Sequence, residues 1–413
     1  MKSLMNRRWF IALVFAVLYK PTIFSQLPQL ALFDTVTNVL KLAVLAVLLV
    51  WFVMFYKKVS LFFISLALLQ VWRVICTVYY GGDYTSLFLT IFNALAIALV
   101  VEMGLKTDPD ALLDGATFIL GFFVVCNFVT ILMFPDGMYE YGVYTENYLF
   151  GYRNNMVMMI IPAAIFSAVR SFKYYDRLSK SSWLIVISSV ASIFLAFSAT
   201  GAIGIVIFCL VLILAIIGFM PKIFNVATYI VFNIVFFFSI IIMRVQDLFA
   251  FIIVELLGKD LTFTGRTDIW DKSLSAFLGS PVFGVGEIEA QASRDLIGAT
   301  HAHNYYLDLL YKSGVFGFLI FMAILIICGI SLYKNRNNGK VVFVVSGALF
   351  AFMVMLQSEA YYNIYYFFSI LSLAAFIEYA LPKKDDNGDI IIRQRHKNRR
   401  QKDLIHYGYR HKN

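Results

Sequence analysis

Apolar runs long enough to cross a bilayer recur along almost the whole chain, and this constrains the fold more than any single motif. A spanning helix needs about 20 apolar residues. Such runs fall at roughly 9–30, 36–56, 59–80, 85–105, 113–134, 152–171, 183–198, 201–219, 224–243, 308–332, 341–358 and 361–381. In lipid only helices and closed barrels satisfy their own backbone, and the two-residue alternation of barrel strands is not visible. The expected fold is therefore an all-α integral membrane protein, a bundle of about 12 transmembrane helices. Composition agrees, with 61% hydrophobic and 14% charged residues, where soluble domains average about 25% charged.

The start, MKSLMNRRWFIALVFAVLYK, has the basic lead and apolar stretch of a signal peptide. No small-residue cleavage site follows it, so an uncleaved first span is expected. Lys20 and Lys41 interrupt the first two spans. Cys76, Cys126, Cys209 and Cys328 all fall inside apolar runs without metal or disulfide spacing, and read as small buried hydrophobes.

Basic groups collect in MKSLMNRR, Lys57-Lys58, KYYDRLSK (173–180), YKNRNNGK (333–340) and the tail after Leu381. Twelve spans with the N-terminus inside put all of these in the cytoplasm, as the positive-inside bias requires. Both termini are then cytoplasmic. The tail carries ten Lys/Arg against four Asp, a net +6 of the chain's +9, and reads as a solvated segment near anionic headgroups. No folded reading surface accompanies that charge, which excludes nucleic acid as a partner.

Four regions follow: an N-terminal bundle of about nine spans (1–243), a large extracytoplasmic loop (244–307), about three C-terminal spans (308–381) and a basic cytoplasmic tail (382–413). The suggestive polar residues gather on the outer side. Arg153, Asn154 and Asn155 open the sixth span, and Arg266, Arg294, His301, His303 and Asn304 lie in the long loop. Glu359 precedes the last span and is a second candidate base. Arg73 lies inside the outer half of span three, where a charge is costly and should meet an anion. Guanidinium groups suit a phosphate-bearing ligand, and histidine is the side chain best poised to move a proton near neutral pH. The imidazole pair has only Glu287 and Glu289 close in sequence, and three-ligand metal geometry is not evident. No metal or cofactor is expected.

Arg266 and Trp270, then Pro281-Val-Phe-Gly284-Val-Gly286, His303-Asn304-Tyr-Tyr-Leu307 and Gly314-Val-Phe-Gly317, stand in the order found in the O-antigen ligase and polymerase family, which this region resembles. GYRNN at 151–155 is similar to that family's Gly-x-x-Asn-x-Asn span entry. The family often has Ser-Arg-Gly-Ala in an outer turn where this chain has Ser198-Ala-Thr200-Gly201-Ala202. The contact of that arginine would then pass to Arg73 or Arg153, or the substrate differs.

The resemblance implies a GT-C-like glycosyltransferase of the bacterial plasma (inner) membrane, acting on its extracytoplasmic face. It would polymerise undecaprenyl-diphosphate-linked oligosaccharide repeat units into capsule, exopolysaccharide or O-antigen, with the growing polysaccharide as acceptor. His303 and Arg266 would be catalytic. Arg153, Arg73, Asn154, Asn155, Arg294, His301, Asn304 and Glu359 would hold the lipid diphosphate and sugars. A chain-length regulator and a flippase of the same pathway are the implied partners. A ligase moving finished glycan to lipid A core or protein is the alternative within the class. A lipid-linked oligosaccharide flippase is the alternative outside it, though such transporters show two similar halves that are not visible here.

Overall fold

The computed structural model describes residues 7–55, 59–142, 144–239 and 266–383. The first part of the expected outer loop (244–265) and nearly all of the tail lie outside the described residues.

The helices are α1 (Arg8–Leu18), α2 (Ile23–Gln26), α3 (Ala31–Phe55), α4 (Leu61–Tyr80), α5 (Tyr84–Thr107), α6 (Pro109–Met133), α7 (Val157–Tyr175), α8 (Lys180–Leu195), α9 (Ala199–Ile217), α10 (Val226–Phe237), α11 (Arg266–Gly279), α12 (Ala290–Ile297), α13 (Tyr305–Lys334), α14 (Lys340–Ser358) and α15 (Phe367–Ala375). Among the described residues nine helical stretches are long and apolar enough to cross a membrane. Three shorter apolar helices, Lys180–Leu195, Val226–Phe237 and Ile364–Ala375, stand where the seventh, ninth and twelfth spans are expected.

Local chemistry sets the breaks. Pro21 and Pro28 cannot continue a helix, so the expected first span divides into α1 and the single turn α2. Ser60, Asp83, Asp108, Ser179, Asn225 and Asn304 each accept a hydrogen bond from a first-turn N–H and fix a helix start. α7 is buried along its whole length apart from Arg170 and Tyr175, and a helix apolar all round belongs in a core. α3, by contrast, exposes Leu32, Phe33, Val39 and Val53, a face suited to acyl chains.

Between α6 and α7 the chain forms a small antiparallel meander, β1 (Tyr139–Tyr141), β2 (Tyr144–Tyr148) and β3 (Gly151–Tyr152), with Tyr139 opposite Asn147 and Asn147 opposite Tyr152. It caps the end of the bundle that also carries residues 280–304 and 359–366, since Asn363 Nδ2 donates to Asn155 O at 2.9 Å. The basic stretches 173–180 and 333–340 meet at the opposite end, where Lys340 pairs with Asp176 at 2.8 Å.

α13 is broken at Gly314, which has φ 63 and ψ −173. The segment 281–286 uses that break. Val315 N donates to Pro281 O at 2.8 Å, Val285 N to Tyr311 O at 2.8 Å and Gly286 N to Lys312 O at 2.9 Å. A Cβ at position 314 would sit 2.0 Å from Val282 O, so only glycine fits both the backbone and the space. Trp72 closes the seam, donating from Nε1 to Ser313 O at 2.8 Å and stacking on Phe283. The Pro281–Gly286 turn is thus a backbone seam to α13, which explains its glycines without any nucleotide.

Candidate functional site

The segment 299–304 carries two imidazoles before α13. Trp270, one turn into α11, is buried against Ile297, Ala302, Leu307 and Tyr311, and its Nε1 donates to Ala302 O at 3.0 Å. From the other side Ala302 N donates to Asp308 Oδ1 at 3.0 Å. Asn304 caps α13 through Leu307 N at 3.0 Å, and its Nδ2 donates to Gln357 O at 2.9 Å. That amide ties the histidine segment to the end of α14, where Gln357 Nε2 in turn donates to Asn233 O at 3.1 Å. Held this way, His303 takes φ 48, a left-handed backbone uncommon for residues other than glycine and clustered at functional sites.

Glu359, at the C-terminal end of α14, is the centre of the cluster. Its side chain is 6% exposed. His303 Nδ1 lies 3.0 Å from Oε1, His301 Nδ1 lies 3.5 Å from the same oxygen, and Ala360 N donates to it at 3.1 Å. Arg266, at the start of α11, donates to Ser358 O at 2.6 Å and places Nη2 4.0 Å from Oε2. A guanidinium has five N–H groups, so Arg266 keeps donors for a ligand.

The contacts assign both tautomers. An ionised carboxylate only accepts, so His303 Nδ1 carries its hydrogen toward Glu359 and Nε2 keeps a free lone pair. His301 Nδ1 instead accepts from His303 N at 3.3 Å, so the neutral ring carries its hydrogen on Nε2. Burial lowers the His301 pKa from 6.5 to about 4, outweighing the attraction of Glu359. Burial would raise the Glu359 carboxyl, but the hydrogen bond from His303 and the charges of His301, His303 and Arg266 outweigh it and hold the pKa down.

A pH dependence follows. His301 takes up a proton near pH 6.5 when unfolded and only near 4 when folded, so the unfolded state binds more protons between those values. The fold loses stability as pH falls through that window. The melting temperature is expected to drop from pH 6.5 toward pH 4 by more in the wild type than in His301→Gln. Parallel profiles would remove the assignment.

The remaining expected site residues divide. Arg73 meets its anion, but the anion is a protein carboxylate: Nη2 pairs with Glu287 Oε2 at 3.1 Å and Nη1 with Gln70 at 3.0 Å. Lys312 holds the other Glu287 oxygen at 3.0 Å and Asp308 at 3.1 Å. Burial alone would raise the Glu287 pKa, but Lys312 and Arg73 lower it to about 2. Arg153 pairs with Glu146 at 3.1 Å, and Asn154 Oδ1 accepts from Ser198 Oγ at 3.2 Å. Arg294 is exposed on α12 and bonds Gln291 of its own helix. The structure therefore unites Arg266, His301, His303, Asn304 and Glu359. Arg73, Arg153, Asn154, Asn155 and Arg294 make the contacts described here outside that cluster.

The carboxylate beside the imidazoles is Glu359, 56 residues beyond His303, and not Glu287 or Glu289. Glu287 is engaged by two cations instead. Asp308 and Lys312 were missed as supports, although an acidic residue four positions before a lysine on one helix is a readable signal.

Residues 184–322 match the O-antigen ligase family model. The matched segment includes Arg266, both histidines and Asn304, and it stops short of Glu359. It supports an activity of O-antigen ligase or polymerase type in a multi-pass membrane protein. No curated protein matches the chain.

Proposed function

With that family match as premise, we propose that the chain is a bacterial plasma-membrane polymerase that joins lipid-diphosphate-linked oligosaccharide units on the extracytoplasmic face. The observation that carries the reading is the meeting of Arg266, His303 and Glu359 at one point from three separate stretches of sequence. A flippase has no need of a base oriented by a carboxylate.

In the proposed reaction an acceptor sugar hydroxyl gives its proton to His303 Nε2. Its oxygen forms the new bond to the donor's anomeric carbon. The bond from that carbon to the phosphate oxygen breaks, and undecaprenyl diphosphate leaves with the electron pair. Glu359 fixes the ring through Nδ1 and stabilises the imidazolium formed. The free N–H groups of Arg266 stabilise charge developing on the departing diphosphate. Arg153, beside the meander, and the exposed Arg294 would meet the glycan or the lipid phosphates. Nothing in this scheme calls for a metal. The outer turn at Ser198-Ala-Thr200-Gly201-Ala202 lacks the arginine the family often has there, which favours polymerase over transfer to lipid A core.

The test is chain extension by purified protein in detergent with a synthetic undecaprenyl-diphosphate oligosaccharide. The wild type is expected to yield longer products. Arg266→Ala should lose about 10²–10³-fold in rate, the range for removing one donor to a developing oxyanion. Parallel reactions with a lipid A core acceptor separate polymerase from ligase. Unchanged extension by Arg266→Ala would reject its role, and no product from any lipid-linked donor would reject the function.

A further inference from the structure

We infer that His301, His303 and Glu359 form a binding site for a divalent transition-metal ion, with Zn²⁺ the best-fitting candidate, and that the ion and the catalytic proton exclude each other. Three ligand atoms, one from each residue, lie within 4.8 Å of one another. Around a tetrahedral ion with bonds near 2.0–2.1 Å, ligand atoms stand about 3.3 Å apart. The separations His303 Nδ1 to Glu359 Oε1, 3.0 Å, and His301 Nδ1 to the same oxygen, 3.5 Å, bracket that value. The ligand atoms of the two imidazoles lie within 4.8 Å of one another, and closing on an ion would draw them together.

A second observation concerns lone pairs. His301 Nδ1 accepts from the backbone N of His303 at 3.3 Å and so has no hydrogen to offer Glu359, yet it faces that carboxylate at 3.5 Å. A cation here would take up that lone pair in place of the His303 amide and draw the carboxylate oxygen to itself. The ligand set, two imidazoles and one carboxylate with a fourth position open, is that of mononuclear zinc sites. Nitrogen donors select against Ca²⁺ and Mg²⁺, which take oxygen. The two histidine side chains are 28% and 29% exposed, which leaves an entry path. Ala360 N braces the ligating oxygen at 3.1 Å. Arg266, 4.0 Å from the other carboxylate oxygen, opposes the added charge and keeps the site weaker than an enclosed structural one.

Metal entry displaces the hydrogen from His303 Nδ1. The neutral ring then carries its hydrogen on Nε2, and the lone pair that would accept the sugar proton is gone. Inhibition by metal rests on the proposed function; metal uptake does not.

The experiment is titration of detergent-purified full-length protein, without a histidine tag, with Co²⁺ in the absence of glycan. The wild type is expected to develop the strong visible absorption of four-coordinate Co²⁺, saturating near one equivalent and discharged by Zn²⁺. His301→Ala and Glu359→Gln should lose it by tenfold or more, and His301→Cys, which restores a zinc ligand, should keep it. Equal absorption in wild type and His301→Ala would assign the metal to other residues, such as the tail histidines, and overturn the site. So would an absence of absorption in well-folded wild type. In the extension assay Zn²⁺ should stop the reaction and a chelator restore it. Cobalt binding without any transfer would sink the enzyme reading and leave the metal site standing.

Discussion

Replacing His303 is expected to slow chain extension by about 10²–10⁴-fold, the usual worth of a positioned general base. The tautomer of His303 sets this role. Glu359 accepts the Nδ1 hydrogen, so Nε2 is left as the basic atom. Alanine at position 303 would combine lost chemistry with backbone strain, because φ is 48 there. Asparagine tolerates that left-handed conformation better than most residues, so His303→Asn isolates the missing base. Its melting temperature should stay near that of the wild type while extension collapses. A well-folded His303→Asn that extends chains within a few-fold of wild type would remove histidine from the mechanism. Measured as initial rates at saturating donor, the loss should appear in kcat.

The second large effect is structural. Lys312 joins Glu287 and Asp308, Glu287 reaches on to Arg73, and Asp308 holds Ala302 between the two histidines. The two cations and two carboxylates balance. Lys312→Met leaves a net negative charge in a site where Lys312 is 14% exposed and Asp308 11%. Breaking a buried pair from one side costs about 3–5 kcal/mol, and the lower end applies because water still reaches these groups. Melting in detergent should fall clearly, and extension should fall with it as the histidine segment loosens. Lys312→Arg should preserve both. A Lys312→Met protein that melts and works like wild type would show that the network supports nothing. Acid separates this effect from that of His301. The Glu287 pKa is lowered from 4.5 to about 2, so its contribution is present above pH 4.5 and goes only as pH falls toward 2. The His301 loss comes earlier.

What the sequence disclosed, and what it hid, follows from the range of each interaction. Apolar run length and helix-start residues are local, so most helices stand where hydropathy puts them, and Asn304 caps α13 as its type and position indicate. The twelfth run is a short α15 flanked by single turns at Ile364–Tyr366 and Ile377–Ala380, because hydropathy counts apolar residues and is blind to hydrogen-bond pitch. The small meander at 139–152 leaves no readable alternation, since its strands are only two to five residues long. Arg73 was rightly expected to meet an anion, but its partner lies 214 positions away, and no pattern in one sequence joins them. Glu359 was visible as an outer carboxylate. That it would bond one imidazole and lie beside the other depends on α13 and α14 folding back side by side.

The path of the chain also bears on its birth. The guanidinium and both imidazoles are made well before Glu359, and two long helices must be threaded before that carboxylate arrives beside them. A nascent or truncated chain ending anywhere ahead of Ser358 would carry every basic group of the centre without the anion that aligns them. The centre is therefore assembled late, at the end of α14 and ahead of α15 alone among the longer helices, and a chain cut before that point would lack its aligning carboxylate.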